Sequence, residues 1–180
     1  SLIREMTKAD EAELIAAARQ LPNLMVTIAP ETVPLPQAQR LTEAGVILSL
    51  GHTDCDYDCA SRYFAAGVSC ATHLFNAMSP LGNRAPGLVG AVLDRPEVSA
   101  GLIADGIHVH PAAMRLALAA PKAQGALFLV TDAMPTVGSG ITEFMLNGRR
   151  VLRQQGRLTL EDGTLAGADL DMPQALRVLA

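Results

Sequence analysis

The chain is poor in several residue types on which large classes of proteins depend. Aromatic residues make up 3% of its 180 residues, and its formal net charge is −4 at pH 7. These values predict neither a base-stacking surface nor a general electrostatic attraction for nucleic acid. The apolar runs are short, and none approaches the roughly 20 residues that a helix needs to span a bilayer. We therefore expect no nucleic-acid partner and no membrane segment.

Cysteine and lysine are also scarce. The three cysteines, Cys55, Cys59 and Cys70, are an odd number. Together with the lack of an apolar signal segment near the N-terminus, they predict reduced thiols in a cytoplasmic protein. The lysines, Lys8 and Lys122, do not follow strand-like runs. A catalytic Schiff base is therefore not expected.

Hydrophobic residues, in contrast, make up 49% of the chain, and runs of strand character alternate with helical patterns. The predicted strands are 24–31, 46–54, 68–78, 98–109 and 126–134, and the predicted helices around them are 7–20, 34–45, 57–67 and 111–120. Nearly continuous apolar strands with short loops are typical of a parallel sheet covered by helices. The pattern fits an open doubly wound sheet or part of a (β/α) barrel. The absence of a G-x-G-x-x-G or Walker motif weakens the nucleotide-binding version.

The C-terminal part has a different pattern. Alternating residues around Asn147–Gly148 predict antiparallel strands joined by a tight turn. Residues 172–180 predict an amphipathic helix. We therefore expect an α/β fold with about five βα units and a β-hairpin insertion near the C-terminus.

Polar residues end the predicted strands, where enzymes with parallel sheets carry their chemistry. They are Glu31, His52, His73, Asp105 with His108, and Asp132. Because neighbouring strand ends meet, the imidazoles of His52 and His73 are expected to converge on one ion. Two histidines plus a carboxylate suit zinc or iron and leave a position for water. The alternative is a pair of unrelated polar residues that end two strands.

Asp132 has two interpretations. A carboxylate at a strand end can accept a proton from water and return it to a leaving group. The same position also suits the N-cap of a helix. Of the two histidines in "DGIHVHP", alternation places both on one side, and we expect His108, nearer the strand end, to be the site residue and His110 to be at the surface.

Two further features also have a functional and a structural interpretation. Arg84, in a glycine- and proline-containing loop without a nearby acidic residue, suits an anion but also a solvated loop. Cys55 and Cys59, four residues apart on one predicted helical face, would complete a Cys₂His zinc site with His52. Their small thiols are equally suited to helix packing.

Six segments together carry a resemblance to a known family. In chain order they are "GHTDCDY", "ATHLFNAM", "GNRAPGLVGAVLD", "IADGIHV", "LVTDAM" and "GTLAG". From about residue 24 to its end, the chain resembles the N-acetylglucosamine-6-phosphate deacetylase family of the amidohydrolase superfamily. The resemblance implies part of a (β/α)8 TIM-type metal-dependent hydrolase barrel. Residues 1–180 would then be a partial catalytic domain that lacks the N-terminal strands and a C-terminal β-domain segment.

The resemblance also implies roles for particular residues. His52 and His73 would bind one divalent metal, with zinc first and iron or another transition metal as alternatives, and Asp132 would be the catalytic proton acceptor and donor. The implied substrate-binding residues are Asn76, Ala77, Arg84, Asp105, Gly106, Ile107, His108, Leu165, Ala166 and Gly167. The last three of these would form a turn that closes over the substrate. The family's third metal ligand is a glutamate in an "EGP" motif that this sequence does not contain, and Glu31 matches a different family position.

The implied function is metal-dependent hydrolysis of the acetamide of N-acetylglucosamine 6-phosphate, which yields glucosamine 6-phosphate and acetate in amino-sugar catabolism. The implied partners are this phosphorylated amino sugar and a second copy of the chain in a homodimer. Two alternatives stay open. The chain is an inactive folded fragment of that enzyme, or it belongs to another amidohydrolase that acts on a small or cyclic amide. Barrels of the second kind usually carry a carboxylated lysine between two metals, and no lysine ends a strand here.

Overall fold

A computed structural model describes residues 4–121 and 123–180, so Lys122 lies outside the described residues. The helices are α1 (Lys8–Ala18), α2 (Leu35–Glu43), α3 (Tyr57–Ala65), α4 (Gly87–Leu93), α5 (Pro111–Ala119) and α6 (Met172–Leu179). The strands are β1 (Met25–Ile28), β2 (Ile47–Leu50), β3 (Cys70–Ala71), β4 (Ser99–Ile103), β5 (Leu127–Val130), β6 (Glu143–Leu146), β7 (Arg149–Gln154), β8 (Arg157–Leu160) and β9 (Leu165–Ala168).

The described chain divides into two compact units. The first contains the described residues up to Gly101 together with Ala119–Phe128, and the second contains Leu102–Leu118 and Leu129–Ala180. Within the described residues, no helix has the length and apolar character that crossing a membrane requires.

The first five strands form one sheet in the order β1-β2-β3-β4-β5. The pairs β1–β2, β2–β3 and β3–β4 are parallel. A doubly wound sheet reverses its strand order at a switch point, whereas consecutive parallel strands in chain order are what a (β/α) barrel requires. The strand order therefore favours the barrel over the open sheet.

The core of the first unit explains its apolar strands. In β2, Leu48 and Leu50 are fully buried, and so is Leu41 on the inner face of α2. Tyr63 of α3 is 5% exposed, and its hydroxyl donates a 2.7 Å hydrogen bond to the carbonyl of Val33, just before α2. Burial raises the pKa of Tyr63 to about 12, so the hydroxyl keeps the proton that it donates.

The start of α3 differs from the prediction that Cys55 and Cys59 share a helical face. The carboxylate of Asp56 caps this helix by accepting a 2.7 Å hydrogen bond from the backbone N–H of Cys59. Cys55 therefore lies before the helix, and the predicted shared helical face of the two cysteines is wrong. Burial raises the pKa of the Cys55 thiol to about 11. A buried thiol of this kind is suited to packing.

The predicted strand 68–78 is also corrected. Only Cys70 and Ala71 pair as β3, and the chain then continues in turns. The apolar residues Leu74 and Met78 are buried, but they reach the core from irregular backbone. Burial without regular structure produced the strand-like pattern in the sequence.

The second unit contains an antiparallel sheet in the order β6-β7-β8-β9. The turns at Asn147–Gly148 and Gln155–Gly156 have φ values of 52° and 76°, and of 51° and 75°. Positive φ at both central residues is the signature of a type I′ hairpin turn. The predicted hairpin is thus present, and it is extended into a four-stranded sheet. Its core contains Val151, Leu158 and Leu160.

Candidate functional site

A histidine pair occupies the ends of β2 and β3 in the first unit. His52 lies two residues beyond β2, and His73 lies two residues beyond β3. Their Nε2 atoms are 3.0 Å apart, and the rings meet edge to face with centroids 4.8 Å apart. His73 is 7% exposed, whereas His52 is exposed in the described unit. The sequence prediction that these two imidazoles converge agrees with this geometry.

Gly51 makes this arrangement possible because it allows a close approach between strands. A Cβ atom at Gly51 would lie 2.8 Å from the Cβ of Thr72 and 3.1 Å from the Cγ2 of Thr27. Any side chain would therefore push the end of β2 away from the neighbouring strands. The glycine places His52 beside the segment that follows β3.

The pair fits part of a metal site. Two ring nitrogens bound to one tetrahedral zinc ion at 2.0–2.1 Å lie about 3.3 Å apart, close to the distance between the two Nε2 atoms. The Nδ1 atom of His73 is buried and has no hydrogen-bond partner among the described residues. Among residues 4–121 and 123–180, however, no group of three or more His, Cys, Asp and Glu side chains is placed to hold a metal. The described residues thus contain two candidate ligands, whereas a catalytic zinc site normally uses three.

Left-handed backbone is concentrated at the candidate residues. His52, His73 and Asp132 have φ values of 51°, 33° and 50°. Phe75 and Ala77, in the loop after the second histidine, have φ values of 78° and 47°. Non-glycine residues rarely adopt this conformation outside tight turns, and where they do so it often marks a functional site.

The loop after His73 is held by its own hydrogen bonds. The side-chain amide of Asn76 lies 3.4 Å from the carbonyl oxygen of His73 and 3.3 Å from that of Leu74. The carbonyl of Ala77 accepts a 3.2 Å hydrogen bond from the backbone N–H of Thr53. Arg84, further along, is exposed, and no ion pair of its guanidinium is found among the described residues. Its exposure fits both the anion-binding interpretation and the solvated loop, so the anion-binding role stays a prediction.

The sequence did not single out Thr53 as a link between the two histidine segments. This residue is 4% exposed, and its hydroxyl lies 2.7 Å from both carboxylate oxygens of Glu31. Glu31 was noted only as a strand-end carboxylate. The position of Thr53 directly after His52 was the only feature of the sequence that could have indicated its role. Its partner, Glu31, lies 22 residues away in the sequence.

In the second unit, Asp132 follows β5 and is exposed. Its carbonyl accepts a 2.8 Å hydrogen bond from the N–H of Ala168 in β9, and the N–H of Met134 donates to the Ala168 carbonyl at 3.3 Å. No helix begins after it in the described residues 133–141, so the predicted N-cap interpretation of Asp132 is wrong. Its backbone is fixed by the small sheet instead.

Asp105 and His108 form a buried pair beyond β4. The Nδ1 of His108 is 2.6 Å from Oδ2 of Asp105, and their side chains are 8% and 5% exposed. The backbone N–H groups of Ile107 and His108 donate to Oδ1 at 2.8 and 2.7 Å. Burial favours the protonated acid, but these hydrogen bonds outweigh it and hold the pKa of Asp105 below its usual value. The ionised carboxylate orients the imidazole. Gly106, between them, has a φ of 74°.

Of the two histidines of this segment, His110 lies at the surface as predicted, whereas the site role of His108 stays a prediction. β4 ends at Ile103, and residues 105–109 are bends, so strand alternation does not apply. His110 is exposed, and its Nδ1 accepts a 3.1 Å hydrogen bond from the N–H of Ala112 in α5. It supports the start of that helix.

The predicted turn at Leu165, Ala166 and Gly167 is wrong. These residues lie in strand β9, and the turn before them is at residues 160–164. Gly167 has a φ of 80°, and a Cβ atom there would clash with the side chain of Met134. This glycine brings β9 against the segment that begins at Asp132.

Comparisons with known proteins identify relatives and structural neighbours of this chain. The N-acetylgalactosamine-6-phosphate deacetylase of Shewanella sp. is 44% identical over 158 residues, which cover 87% of this chain and 39% of that protein. The N-acetylglucosamine-6-phosphate deacetylase of Bacillus subtilis is 42% identical over 156 residues, or 85% of this chain and 39% of that protein. The crystal structure of the N-acetylglucosamine-6-phosphate deacetylase from Pasteurella multocida superposes with a TM-score of 0.90 at 35% identity, over 98% of this chain and 45% of that structure. No family model matches the chain.

The class of protein follows from the fold and these neighbours: the chain is part of a TIM-type barrel of the amidohydrolase fold. It spans less than half the length of the relatives that it matches. Within that class, it belongs, as a partial chain, to the family of the N-acetylglucosamine- and N-acetylgalactosamine-6-phosphate deacetylases.

Proposed function

We propose that this chain is part of an enzyme that hydrolyses the acetamide of N-acetylglucosamine 6-phosphate to glucosamine 6-phosphate and acetate. The observation that carries the proposal is the histidine pair, with Nε2 atoms 3.0 Å apart, in a barrel segment homologous to such deacetylases. Relatives at this level of identity support the reaction more strongly than the fold alone, because barrels of this kind host many activities.

His52 and His73 would hold a divalent metal, which we propose to be zinc because zinc accepts imidazole ligands and keeps an open position. When bound, such a metal polarises a carbonyl and lowers the pKa of water. Both histidines must then present unprotonated Nε2 atoms. The left-handed backbone at each residue would aim these atoms before the metal binds.

We assign the proton transfer to Asp132. Hydrolysis of an amide needs a base that takes a proton from the attacking water and an acid that returns it to the amine, because an unprotonated amine is a poor leaving group. A single carboxylate can serve in both steps. The hydrogen bond from Ala168 to its carbonyl would fix its position.

The phosphate and sugar are assigned to the remaining predicted residues. Arg84 would pair with the phosphate, since an exposed guanidinium without an acidic partner is suited to a phosphate dianion. The backbone at Asn76 and Ala77 and the Asp105–His108 pair would add hydrogen bonds, and Gly106 and Ile107 would contribute backbone to the same segment. Leu165, Ala166 and Gly167 would contact the substrate from β9. Holding the phosphate at a distance from the acetamide positions the reacting carbonyl.

We also assign a cellular location, an oligomeric state and a metabolic role to the intact protein. The free state of Cys55, Cys59 and Cys70 supports a reducing, cytoplasmic location. The partner in the proposed assembly is a second copy of the same protein, in a homodimer. Amino-sugar catabolism is the corresponding metabolic role.

The C4 epimer of the substrate is a second candidate. The relative from Shewanella is named as an N-acetylgalactosamine-6-phosphate deacetylase and is 44% identical. The two hexosamine phosphates differ only in one hydroxyl orientation, so the same metal, proton and phosphate groups would serve both. Specificity would depend on contacts to that hydroxyl.

Acetate release from the intact protein that contains this chain tests both candidates. The substrates are the 6-phosphates of N-acetylglucosamine and N-acetylgalactosamine, and unphosphorylated N-acetylglucosamine as the control. We expect a higher kcat/KM for N-acetylglucosamine 6-phosphate than for its epimer and little turnover of the unphosphorylated sugar. Preference for the epimer would support the second candidate, and no acetate from either phosphate would contradict the proposed reaction.

A further inference from the structure

The carboxylate of Glu31 accepts hydrogen bonds from Thr53 and Asp54, the two residues that follow His52. The hydroxyl of Thr53 donates to Glu31, with its oxygen 2.7 Å from both Oε1 and Oε2. The backbone N–H of Asp54 donates to Oε1 at 2.9 Å. Glu31 itself lies at the surface of the unit, whereas Thr53 is 4% exposed. The carboxylate therefore anchors a buried hydroxyl directly after the first histidine.

Thr53 in turn joins the two histidine-bearing segments. Its N–H donates to the carbonyl of Ala77 at 3.2 Å, and its carbonyl accepts from the N–H of Ser79 at 3.2 Å. Its hydroxyl oxygen also accepts a 3.0 Å hydrogen bond from the N–H of Cys55. The backbone groups and the hydroxyl of this residue are thus all in use. A shift of Thr53 would move the segment of His52 relative to that of His73.

We propose that Glu31 is a positioning residue for the metal-binding histidine pair and acts through Thr53. The left-handed backbone of His52 is a conformation that relaxes unless its neighbours hold it. The carboxylate of Glu31 and the backbone of Ala77 and Ser79 all hydrogen-bond to the next residue, Thr53. This inference rests on the proposed metal site and adds to it a residue that does not touch the metal.

The hydrogen bonds of Glu31 favour a positioning role over a role as a third metal ligand. Both oxygens of Glu31 already accept hydrogen bonds from Thr53, and one of them accepts a further bond from Asp54. A role as a third ligand would require these bonds to break and leave the buried Thr53 hydroxyl unpaired, which is costly. Groups that orient metal ligands without binding the metal typically change metal affinity by about 10- to 100-fold.

A role through Thr53 predicts that the two residues act as one unit. Residues that share a hydrogen bond show non-additive effects when both are changed. Glu31→Gln and Thr53→Val should therefore weaken zinc binding by similar factors, and the double variant should be no weaker than the weaker single variant. Thr53→Ser keeps the hydroxyl and should keep the affinity.

The experiment measures the dissociation constant of zinc for the intact, metal-free protein by competition with a chelator. The melting temperature of each metal-free variant is recorded beside it. We expect zinc to bind about 10- to 100-fold more weakly to Glu31→Gln and Thr53→Val. Thr53→Ser should bind zinc as the unmodified protein does. Glu43→Gln, which changes an exposed glutamate at the end of α2, is the matched control and should also be unchanged.

The outcomes separate this inference from the proposed function. If the unmodified protein binds no zinc and releases no acetate, the proposed function fails. If it binds zinc and is active but Glu31→Gln has unchanged affinity, the positioning role is overturned and the function stands. A lower melting temperature without a change in affinity, or additive losses in the double variant, also overturns the role. If Glu31→Gln does not fold, the test uses Thr53→Val and Thr53→Ser. Equal zinc affinities of these two variants would overturn the positioning role.

Discussion

His52 has left-handed backbone, a conformation that is unfavourable for a residue other than glycine. A non-glycine residue in left-handed conformation costs about 1–2 kcal/mol relative to its preferred region. Asn147 and Gln155 accept this cost in hairpin turns, where the turn type demands it. His52 and His73 follow strands of a parallel sheet, where no hairpin requires positive φ. The cost is consistent with selection for the position of the imidazoles.

Replacing His52 by glycine and by alanine separates the side chain from its backbone. Both variants should lose zinc stoichiometry in the intact protein, because one of the two proposed ligands is gone. His52→Gly should also raise the melting temperature of the metal-free protein above that of His52→Ala, since glycine adopts positive φ without a steric cost. Metal analysis and thermal unfolding measure the two effects. Full retention of zinc in both variants would contradict the ligand assignment.

Replacing Asp132 should lower the turnover number and leave substrate binding nearly unchanged. Asp132→Asn keeps the size of the side chain, and the backbone bond to Ala168 does not depend on the carboxylate. Turnover should fall by about 10²- to 10⁴-fold, the usual contribution of general acid–base catalysis, while KM changes little. Steady-state kinetics with the phosphorylated substrate provide both constants. Near-normal kcat would exclude the proton-transfer role.

Arg84 should matter only for phosphorylated substrates. Arg84→Ala is expected to lose about 1.5–3 kcal/mol of binding for N-acetylglucosamine 6-phosphate, the typical value of hydrogen bonds to charged groups. The unphosphorylated sugar should be affected much less. The comparison of kcat/KM for both sugars is the measurement, and the exposed Arg62, changed to alanine, is the control. Equal losses for both sugars would indicate a structural role for Arg84.

At the scale of secondary structure, the sequence predicted regular elements well and irregular ones poorly. Strands with continuous apolar runs, such as β2, and the type I′ turn at Asn147–Gly148 follow from local patterns. The segment after β3 does not, because Leu74 and Met78 are buried by long-range contacts of irregular backbone. The predicted turn at 165–167 is a strand because β9 pairs with β8, and the turn lies in the short segment between these two strands.

The two tyrosines of α3 offer a matched test of how this helix is held. The hydroxyl of Tyr63 donates to the buried carbonyl of Val33 at 2.7 Å, whereas that of Tyr57 donates at the surface to Asp94 at 2.6 Å. Tyr63→Phe should lower the free energy of unfolding by about 1–2 kcal/mol, because it leaves a buried acceptor without a partner. Tyr57→Phe should have a much smaller effect. Equal effects in urea unfolding would contradict this explanation.

At the scale of the whole molecule, the candidate site was only partly predictable. His52, His73 and Asp132 stand out because they are chemically capable residues at strand ends. Glu31 also ends a predicted strand, but its link to Thr53 could not be predicted, because the contact joins residues 22 apart in the sequence. The strand order, which decides between an open sheet and a barrel, likewise became visible only in the structure.

Residues 1–180 expressed alone should have little or no deacetylase activity. Within the described residues, the histidine pair has no third protein ligand, and a catalytic zinc site normally uses three. The sheet has β1 at one edge, whereas a closed barrel has no edge, so water would reach the site and screen its charges. Acetate release from N-acetylglucosamine 6-phosphate is measured in excess zinc for this polypeptide and for the intact protein that contains it. We expect a difference of more than about 100-fold, comparable with the loss of a group essential for catalysis. Activity within tenfold of the intact protein would contradict the prediction and would mean that another group, such as Glu31 or a residue of a second copy, completes the metal site.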